Sequence, residues 1–560
     1  MGELTSRQTL RTGVLACVVA VALCAVLAAG AVGARAAAGD SPPLAFSGCV
    51  GDRNGCVTTH GASGALDGAV AVAVSPDGKQ IYAVGNSDYG ALSHFRVDAT
   101  GRLSFAGCIG DSANGCRPTN PADVLGGNGT SLSGVAITPD GRQLYVAVSD
   151  NLSHFTIGAG GHLTFAGCVG PASGCSPVPF SDAATGASPL NGVQSLVISP
   201  DGHQLYSGAA STSMSSSGAN VTTDALSHFT IDHVGNLAFA GCVGDLPGCA
   251  PTSPAGVLAA VAAMTVSRDG SQLYAASKNS VSHFTLDGSG NPTFSGCVGG
   301  FAGCVATNPA GALNGASAVA VTPDGKQLFA AGSDANAVSR LSLSASGAPT
   351  FSDCLGDQAG CTATHPGGAL QGASALAFAR DGRRLYVASN AGNTVSEVTL
   401  GSSGASSFTA CIGRRGGCIP IRPRAALDGA TGLAFAPDGQ HLYVTAAFDL
   451  SVLARPVQTL TAVGGPRKRG RTVALKLACQ GPGAGPCTGA VTLSRGKQRV
   501  GSASVRLTAG HSTVLRVALN RTGRRLLAHH ARLTVTLTVT QQRAGRPVTV
   551  ATDRLTLTRR

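Results

Sequence analysis

The chain has no tryptophan, and only 4% of its 560 residues are aromatic and 12% charged. A charge content this low excludes a coiled coil or a charged disordered tail over most of the length. The nucleophile elbow Gly-x-Ser-x-Gly, the Walker loop and the zinc motif His-Glu-x-x-His are also missing, which argues against the enzymes that use them. The length instead calls for several units or a repeat array, and 78 glycines favour the array.

Long apolar runs are confined to the N-terminus. Arg7 and Arg11 precede an apolar run at residues 12–32, and the small residues Ala34 and Ala36 follow it. This order is typical of a cleavable export signal, so we predict a signal peptide at residues 1–36 and an extracellular or envelope-associated protein. The run is also long enough to serve as an uncleaved membrane anchor, which is the alternative.

Charge is divided unevenly along the chain. Residues 37–456 hold 18 Lys and Arg against 26 Asp and Glu, whereas residues 457–560 hold 19 against one. The net charge of +12 therefore describes neither part. Only the C-terminal part has the electrostatics of a polyanion binder.

One sequence element recurs seven times. Its first copy reads Val-Ser-Pro-Asp-Gly-Lys-Gln-Ile-Tyr at residues 74–82. The aspartates of the seven copies are Asp77, Asp140, Asp201, Asp269, Asp324, Asp381 and Asp438. Each unit reads as four short strands rich in β-branched or aromatic residues. In the first unit these strands are residues 70–75, 80–84, 91–97 and 102–108.

Pro76, Asp77 and Gly78 join the first two strands of the first unit. Proline presets the φ angle of the first turn position, aspartate bonds its own backbone, and glycine accepts a positive φ. We therefore interpret Asp77 and its six counterparts as turn residues rather than catalytic acids.

Four strands in each unit, with copies 55 to 68 residues apart, predict the blades of a β-propeller. The last unit stops after its third strand near Leu453, and an isolated strand stands at residues 44–49. Pairing these two would complete a blade and close a ring, which an open solenoid does not need. We predict an all-β fold with a seven-bladed β-propeller at residues 37–456, closed by the N-terminal strand.

The cysteines follow the same period, since every cysteine after residue 36 has a partner seven or eight residues away. The pairs are Cys49 with Cys56, Cys108 with Cys116, Cys168 with Cys175, Cys242 with Cys249, Cys297 with Cys304, Cys354 with Cys361, Cys411 with Cys418 and Cys479 with Cys487. In an exported chain this pattern predicts disulfides, seven of which would cover one face of the ring. Zinc binding is the alternative, but each pair lacks a second pair or a consistent histidine, so neither a metal nor another cofactor is predicted.

The repeat resembles a known family. The residues Leu-Asp-Gly-Ala and Val-Ala-Val-Ser-Pro-Asp-Gly-Lys within 66–79, with Leu-Tyr-Val-Ala-Ser-Asn at 385–390, are similar to the Tyr-Val-Thr-Asn-type (YVTN) β-propeller repeat and the lactonase-like superfamily. The Gly-Cys-Ile/Val-Gly segment that ends five of the seven blades looks like a variant of secreted actinobacterial proteins. The resemblance implies the fold over about residues 43–456. It implies hydrolysis of sugar lactones only weakly, because none of the family's catalytic residues matches a position here.

Histidines recur at one position of the third strand in four successive blades. They could bind a metal or move protons, but blades hold them apart, so we expect packing between sheets. The residues are His94, His154, His228 and His283, followed by Arg340 and Glu397 in the next two blades.

A second recurrent set stands ten residues before each turn aspartate, where it would encircle the mouth of the central channel. These side chains could bind a cation or a polar ligand. The alternative, which we favour, is that they only turn the chain into the innermost strand. The set is Asp67, Asn191, Asn314, Gln371 and Asp428, with Thr130 and Ala259 in the other two blades.

Two features break the repeat. The first is a cluster of four arginines around the seventh disulfide, Arg414, Arg415, Arg422 and Arg424. Paired guanidinium donors could clamp a carboxylate or a phosphate, and an exposed solubilising loop is the alternative. The second is a Ser/Thr-rich insertion at residues 211–223 of the third blade, expected to form a flap over the same face.

The pattern changes after Pro456. Residues 457–471 read as a linker, and alternating strands over residues 472–560 predict a basic immunoglobulin-like sandwich that resembles domains of actinobacterial envelope proteins. Its charge suggests contact with an anionic cell-wall polymer. Nucleic acid is a poor partner for an exported chain without interleaved aromatic residues.

These features predict a noncatalytic binding or structural module, with an unidentified protein or small molecule on the propeller face. The alternative is a lactonase-like hydrolase acting on an anionic sugar lactone. No catalytic residue is assigned, and the oligomeric state is not predicted.

Overall fold

The structure is a computed structural model that describes residues 43–558, apart from gaps at 87–89, 99, 111, 113–114, 120–123, 126–131, 179–187, 211, 215–219, 223, 403, 457, 470, 482–485, 531 and 544–545. The predicted signal peptide lies outside the described residues. Contacts divide the described chain into two compact units, one with residues 43–456 and 538–552 and the other with residues 457–537 and those from Asp553 onwards. We call residues 43–456 the propeller and the residues after Pro456 the C-terminal segment.

The propeller consists of seven four-stranded antiparallel sheets. The first strand of the chain, β1 (Ala45–Gly51), belongs to the last sheet. Blade 1 consists of β2 (Ala69–Val74), β3 (Gln80–Gly85), β4 (Ala91–Val97) and β5 (Leu103–Gly110). Blade 2 consists of β6 (Leu132–Ile137), β7 (Gln143–Val148), β8 (Asn151–Ile157) and β9 (Leu163–Val169), with a short 3-10 helix at Ala159–Gly161. Blade 3 consists of β10 (Val193–Ile198), β11 (Gln204–Ala209), β14 (Ala225–Ile231) and β15 (Leu237–Gly244).

The insertion in blade 3 contains a two-stranded hairpin between β11 and β14. Its strands are β12 (Thr212–Met214) and β13 (Asn220–Thr222).

The remaining four blades follow the same pattern. Blade 4 consists of β16 (Val261–Val266), β17 (Gln272–Ser277), β18 (Ser280–Leu286) and β19 (Pro292–Gly299), and blade 5 of β20 (Ala316–Val321), β21 (Gln327–Gly332), β22 (Ala337–Leu343) and β23 (Pro349–Gly356). Blade 6 consists of β24 (Ala373–Phe378), β25 (Arg384–Ser389), β26 (Thr394–Leu400) and β27 (Ser406–Gly413), and blade 7 of β28 (Gly432–Phe435), β29 (His441–Ala446) and β30 (Asp449–Ala454), completed by β1.

The ring is closed. β1 pairs antiparallel with β30, so the N-terminal strand supplies the outermost strand of blade 7. The innermost strands of successive blades contact one another, including β2 with β28. Thr431 Oγ1 donates to the carbonyl of Ala69 at 2.7 Å and links blade 7 to blade 1. The predicted seven-bladed propeller and its closure by the N-terminal strand are therefore confirmed.

The Pro-Asp-Gly segments form the turns between first and second strands. Ser75 Oγ and the Lys79 backbone amide donate to Asp77 Oδ1 at 2.7 and 3.0 Å, and Gly78 has a φ of +71°. Partial burial raises the pKa of Asp77, but these bonds outweigh it and hold the pKa below its usual value. The contacts agree with the turn interpretation of Asp77.

All eight predicted disulfides are present. The bonds join Cys49 to Cys56, Cys108 to Cys116, Cys168 to Cys175, Cys242 to Cys249, Cys297 to Cys304, Cys354 to Cys361, Cys411 to Cys418 and Cys479 to Cys487. Every cysteine of the described chain is thus a structural residue, and none of them is a free thiol that could bind a ligand.

The propeller disulfides share one position in the blade. The first cysteine of each pair lies in an outermost strand, as Cys108 does in β5, and the second, such as Cys116, lies in the connection to the next blade. The connection folds back on the strand it leaves, as where Val57 forms a parallel bridge with Val50. Each disulfide therefore pins the chain as it crosses between blades.

The C-terminal segment contains two four-stranded sheets. In the first, β33 (Thr472–Gln480) pairs with β36 (Ser512–Ala518) on one edge and with β31 (Thr459–Ala462) and β32 (Arg467–Arg469) on the other. The second has the order β35 (Gln498–Leu507), β34 (Cys487–Arg495), β37 (Arg532–Arg543) and β38 (Arg546–Thr558). Residues 457–471, predicted as a linker, thus include two short strands.

One α-helix, α1 (Arg521–His529), follows β36, and its N-cap is Asn520, whose Oδ1 accepts from the Gly523 amide at 2.8 Å. Within the described part of the chain, no helix has both the length and the apolar character needed to cross a bilayer.

Candidate functional site

One end of the ring gathers the candidate site residues of the propeller. The connections between blades lie at this end, and so do the connections from second to third strands. We call this end the loop face. It carries the seven disulfide loops, the channel-mouth set, the blade 3 hairpin and the arginine loop, which we define as residues 414–424.

The channel-mouth residues lie where the chain enters each innermost strand. In several blades the glycine that follows is held by a side chain of the preceding blade. These bonds are Gly192 N to Asp150 Oδ1 at 2.9 Å, Gly372 N to Asn336 Oδ1 at 2.8 Å and Gly429 N to Asn393 Oδ1 at 2.8 Å. They agree with a turn role for these positions. Asn314 and Gln371 are exposed, Asn191 is half-buried, and Thr130 lies outside the described residues.

Asp67 and Asp428, the two acidic members of the set, are half-buried. Burial raises the pKa of Asp67, and the nearby Asp52 carboxylate raises it further. Asp428 instead lies against arginines.

The structure joins the arginine loop to the channel mouth. Arg414 Nη1 lies 2.8 Å from Asp428 Oδ2. Arg415 donates from Nη1 to Gln371 Oε1 at 3.1 Å and from Nε to the Gly367 carbonyl at 2.7 Å. Two of the four arginines are therefore bound to acceptors of the propeller itself.

Arg422 and Arg424 differ from that pair. Both are exposed, and neither has a hydrogen-bond or ion-pair partner among the residues that the structure describes. They border a cleft of about 830 Å³. Its other lining residues are Ala45, Phe46, Ile419, Pro420, Ile421 and Pro423. Arg424 also borders a second cleft of about 210 Å³ within residues 413–424. The larger cleft thus combines two cations with apolar walls.

A buried carboxyl beside the arginine loop was not anticipated from the sequence. Asp449 begins β30, and its side chain is 0% exposed. Arg53 Nε, from the loop of the first disulfide, lies 3.2 Å from Asp449 Oδ2, and Ser451 Oγ donates to Asp449 Oδ1 at 3.2 Å. Arg53 Nη1 also lies 3.9 Å from Asp428 Oδ2. We call Arg53, Arg414, Asp428 and Asp449 the charge cluster.

Burial raises the pKa of Asp449 to about 7. Ser451 and Arg53 lower it and the Asp428 carboxylate raises it, but desolvation dominates because the side chain is shut off from water. The group therefore exchanges its proton near neutral pH. The guanidinium of Arg53 also lies over the Phe448 ring, 5.0 Å from its centre, and that ring is 45% exposed.

A signal for Asp449 did exist in the sequence. The first residue of the third strand is uncharged in the other six blades, where it is Ala91, Asn151, Ala225, Ser280, Ala337 and Thr394. A comparison of each strand position across all blades would have singled out Asp449. Its partner Arg53 is distant in sequence and becomes a neighbour only because β1 completes blade 7.

The four recurrent histidines are packed between blades. Each Nε2 lies 2.6–2.7 Å from a glutamine Oε1 on the adjacent strand. Each ring stacks on a tyrosine with centroids 4.9–5.2 Å apart. The tyrosine hydroxyl donates to a glycine carbonyl of the next blade, as Tyr82 does to Gly161 at 2.8 Å. We call this arrangement the His–Gln–Tyr clamp. Burial lowers the pKa of His94 and His154 to about 4, so they are neutral at pH 7.

Across the described residues, no group of three or more His, Cys, Asp or Glu side chains is arranged to hold a metal ion.

Comparison with known proteins gives structural likeness alone. No protein-family model matches the sequence, and no curated protein matches it. Among solved structures, the periplasmic gluconolactonase of Pseudomonas aeruginosa is 18% identical, with 61% of this chain and 84% of that chain covered and a TM-score of 0.40. A functionally unknown protein from Desulfotomaculum acetoxidans is 15% identical, with 76% and 99% covered and a TM-score of 0.41. The Kuenenia stuttgartiensis hydrazine synthase is 16% identical, with 70% and 96% covered and a TM-score of 0.40. The chain is thus similar to lactonase-like propellers at low identity. Because these structural neighbours are distant and their names describe different functions, they assign no activity to the chain.

Proposed function

We propose that this protein is a noncatalytic binding module whose propeller takes a small anionic ligand in the cleft beside the arginine loop. The observation that carries the proposal is the pair of exposed guanidinium groups, Arg422 and Arg424, on an otherwise apolar cleft. Guanidinium groups bind carboxylates and phosphates through paired donors. A cleft of about 830 Å³ is also within the size range of small-molecule sites.

Arg414 and Arg415 have a different role in this proposal. Their donors are already engaged by Asp428, Gln371 and the Gly367 carbonyl, so they fix the arginine loop. The ligand would be an anion with an apolar body, since Phe46, Ile419 and the two prolines offer no charge of their own.

A thermal-shift screen of the full chain tests this function. The panel contains inorganic phosphate, sugar phosphates and short-chain carboxylates, and a ligand at 100 times its Kd stabilises the folded state by about 2.7 kcal/mol. We expect Arg422→Ala/Arg424→Ala to weaken binding of any hit by about 100-fold, because two charge-assisted contacts are lost. The control Arg96→Ala/Arg102→Ala removes two exposed arginines from blade 1. Equal losses in both variants, or no hit at all, would contradict the proposal.

Location and family belong to the same proposal. Eight disulfides are typical of an oxidising, extracellular compartment. We propose that the protein is exported by its N-terminal signal and that the propeller is of the YVTN type. We further propose that the C-terminal segment is immunoglobulin-like and keeps the protein at the cell envelope.

A lactonase-like hydrolase is the second candidate function, and the charge cluster is the observation that favours it. Asp449 holds a proton up to about pH 7, while the neighbouring Asp428 is held by arginines. A carboxylate flanked by guanidinium groups, as Asp428 is, can act as a general base on an anionic lactone that those groups bind.

A panel of sugar lactones, neutral and anionic, separates the two functions. A hydrolase would turn over at least one lactone, and Asp428→Asn would lower kcat/KM by about 100-fold or more. Arg414→Ala/Arg415→Ala would reduce turnover of anionic lactones most, because that variant frees the arginine loop. No turnover on any lactone would leave this candidate without support.

A further inference from the structure

The C-terminal segment has no aromatic residue. Its 104 positions, 457–560, contain no Phe, Tyr or Trp, and 19 of them are Lys or Arg. Proteins use aromatic rings to stack on nucleobases and to anchor at membrane interfaces. A ligand surface in this segment therefore acts through charge and hydrogen bonding.

One face of the β33 sheet places cations in register. Arg467 of β32 and Arg516 of β36 both pair with Ala474 of β33, one from each side. Directly paired residues share a face of the sheet, and adjacent strands lie about 4.8 Å apart. The two arginines therefore start about 10 Å apart across an alanine. Both are exposed.

A second row on the same face lies beside the first. Lys476 is two residues beyond Ala474 and so projects from the same side of β33. Lys476 is paired with Val514 of β36, and its carbonyl accepts from the Val463 amide. Lys476 is exposed, as are Val463 at 41% and Val514 at 54%. The opposite face of β33 is buried through Val473, Leu475 and Leu477.

The charge on this face is not compensated locally. Asp553 is the only acidic residue in positions 457–560, and its Oδ1 accepts from the Arg554 amide. Within the described chain, none of Arg467, Lys476 and Arg516 has an ion-pair partner. An uncompensated row of cations creates a field that attracts anions and releases their counterions on binding.

We propose that this surface, formed by Arg467, Lys476 and Arg516 and called the cationic face, binds a linear polyanion. Two guanidinium groups in register across the sheet can engage successive anionic groups of one chain, each through paired donors. The partner is a polymer carrying phosphate or carboxylate groups, recognised by charge spacing rather than by stacking.

The test measures binding of the full chain to long-chain polyphosphate and to poly-glutamate, which separates phosphate from carboxylate recognition. We expect Arg467→Ala/Arg516→Ala to weaken binding of the preferred polymer by about 10-fold or more at 0.15 M salt. The slope of log affinity against log salt should fall by about one for each contact removed.

The matched control is Arg499→Ala/Arg506→Ala, which removes two exposed arginines from β35 of the other sheet. We expect this variant to lose about 3-fold or less in affinity for the polymer, since only the net charge of the chain changes. Equal losses in both variants would overturn the cationic face, because binding would then follow net charge alone. Binding to anionic phosphatidylglycerol vesicles with no binding to either polymer would also overturn it. The same polymers are measured against Arg422→Ala/Arg424→Ala, and a loss of affinity there as large as that of Arg467→Ala/Arg516→Ala would place the binding in the propeller cleft and overturn the cationic face.

Discussion

Blades 1 to 4 and blades 5 to 7 of the propeller are held together by different chemistry. Each of the first four has the His–Gln–Tyr clamp, with neutral groups and a hydrogen bond to the next blade. In blade 5 the position of the histidine is taken by Arg340, which forms an ion pair with Asp353. In blade 6 it is taken by Glu397, which accepts from Tyr386 Oη at 2.9 Å. The charge cluster and the arginine loop belong to the same irregular part of the ring.

The difference teaches where to look for function in a repeat protein. A neutral clamp that recurs four times is explained by blade packing alone. Charged groups that replace it must each be paired or remain protonated, which is costly in a packed sheet. A free-energy cost of this kind that is not offset by a packing contact repeated in every blade is typical of a functional site.

The largest expected effect concerns pH, to which the two parts should respond in opposite directions. Asp449 has a raised pKa, so between about pH 4 and 7 the folded chain holds a proton that the unfolded chain has released. Asp449 therefore lowers the free energy of unfolding as pH rises through this window, by up to about 4 kcal/mol. Asp449→Asn should be more stable than the wild type at pH 8 and lose that advantage near pH 4, as measured by urea unfolding across pH. Asp77→Asn is the control, because the lowered pKa of Asp77 acts only below about pH 4.

The second prediction concerns a clamp. His154→Ala removes a ring that stacks on Tyr145 at 4.9 Å and leaves the Gln143 amide oxygen without its partner at 2.7 Å. We expect a loss of about 2–3 kcal/mol at pH 7. Because burial lowers the pKa of His154 to about 4, its contribution is present above pH 6.5 and is lost as pH falls towards 4. The loss on mutation should therefore shrink with falling pH. In the comparison variant Arg340→Ala, the remaining Asp353 is 41% exposed and stays hydrated, so loss of the ion pair should cost about 1 kcal/mol. A larger cost there than at His154 would reverse the comparison.

The smallest effect comes from restoring the clamp residue in blade 5. Gln327 Oε1 is buried without a hydrogen-bond partner in the described chain, whereas the matching glutamines of blades 1 to 4 bond their histidines. Arg340→His/Asp353→Ala should supply that donor and change the free energy of unfolding by about +1 kcal/mol. A fall in the thermal midpoint would show that Arg340 and Asp353 stabilise blade 5 better than the clamp residue does, so that their presence there is structural.

The sequence was sufficient to predict structural features that are local and that recur in every blade. Turns such as Pro76-Asp77-Gly78 and cysteine pairs seven or eight residues apart repeat with each blade, so one correct interpretation holds in all seven. The isolated strand at residues 44–49 was predicted because the last unit lacked a fourth strand.

Contacts between distant residues could not be predicted in the same way. The arginine loop was found, but its bonds to Gln371 and Asp428 were not, because they depend on how adjacent blades face each other. Helix α1 was missed because Arg521–His529 is short and contains Gly523, a weak helix former. The strands β31 and β32 were missed because Pro466 and the basic run after it resembled a linker.

The closing strand β1 also has a consequence for the order of assembly. Its partner β30 is separated from it by six complete blades, so β1 has no sheet to join until nearly the whole propeller has emerged. Until then β1 is an unpaired edge that can recruit a strand from another molecule. Each cystine, in contrast, joins residues only seven or eight apart and can oxidise as soon as its own segment is exposed. Oxidation can therefore run ahead of closure, and a chain truncated before β30 would be fully cross-linked yet open.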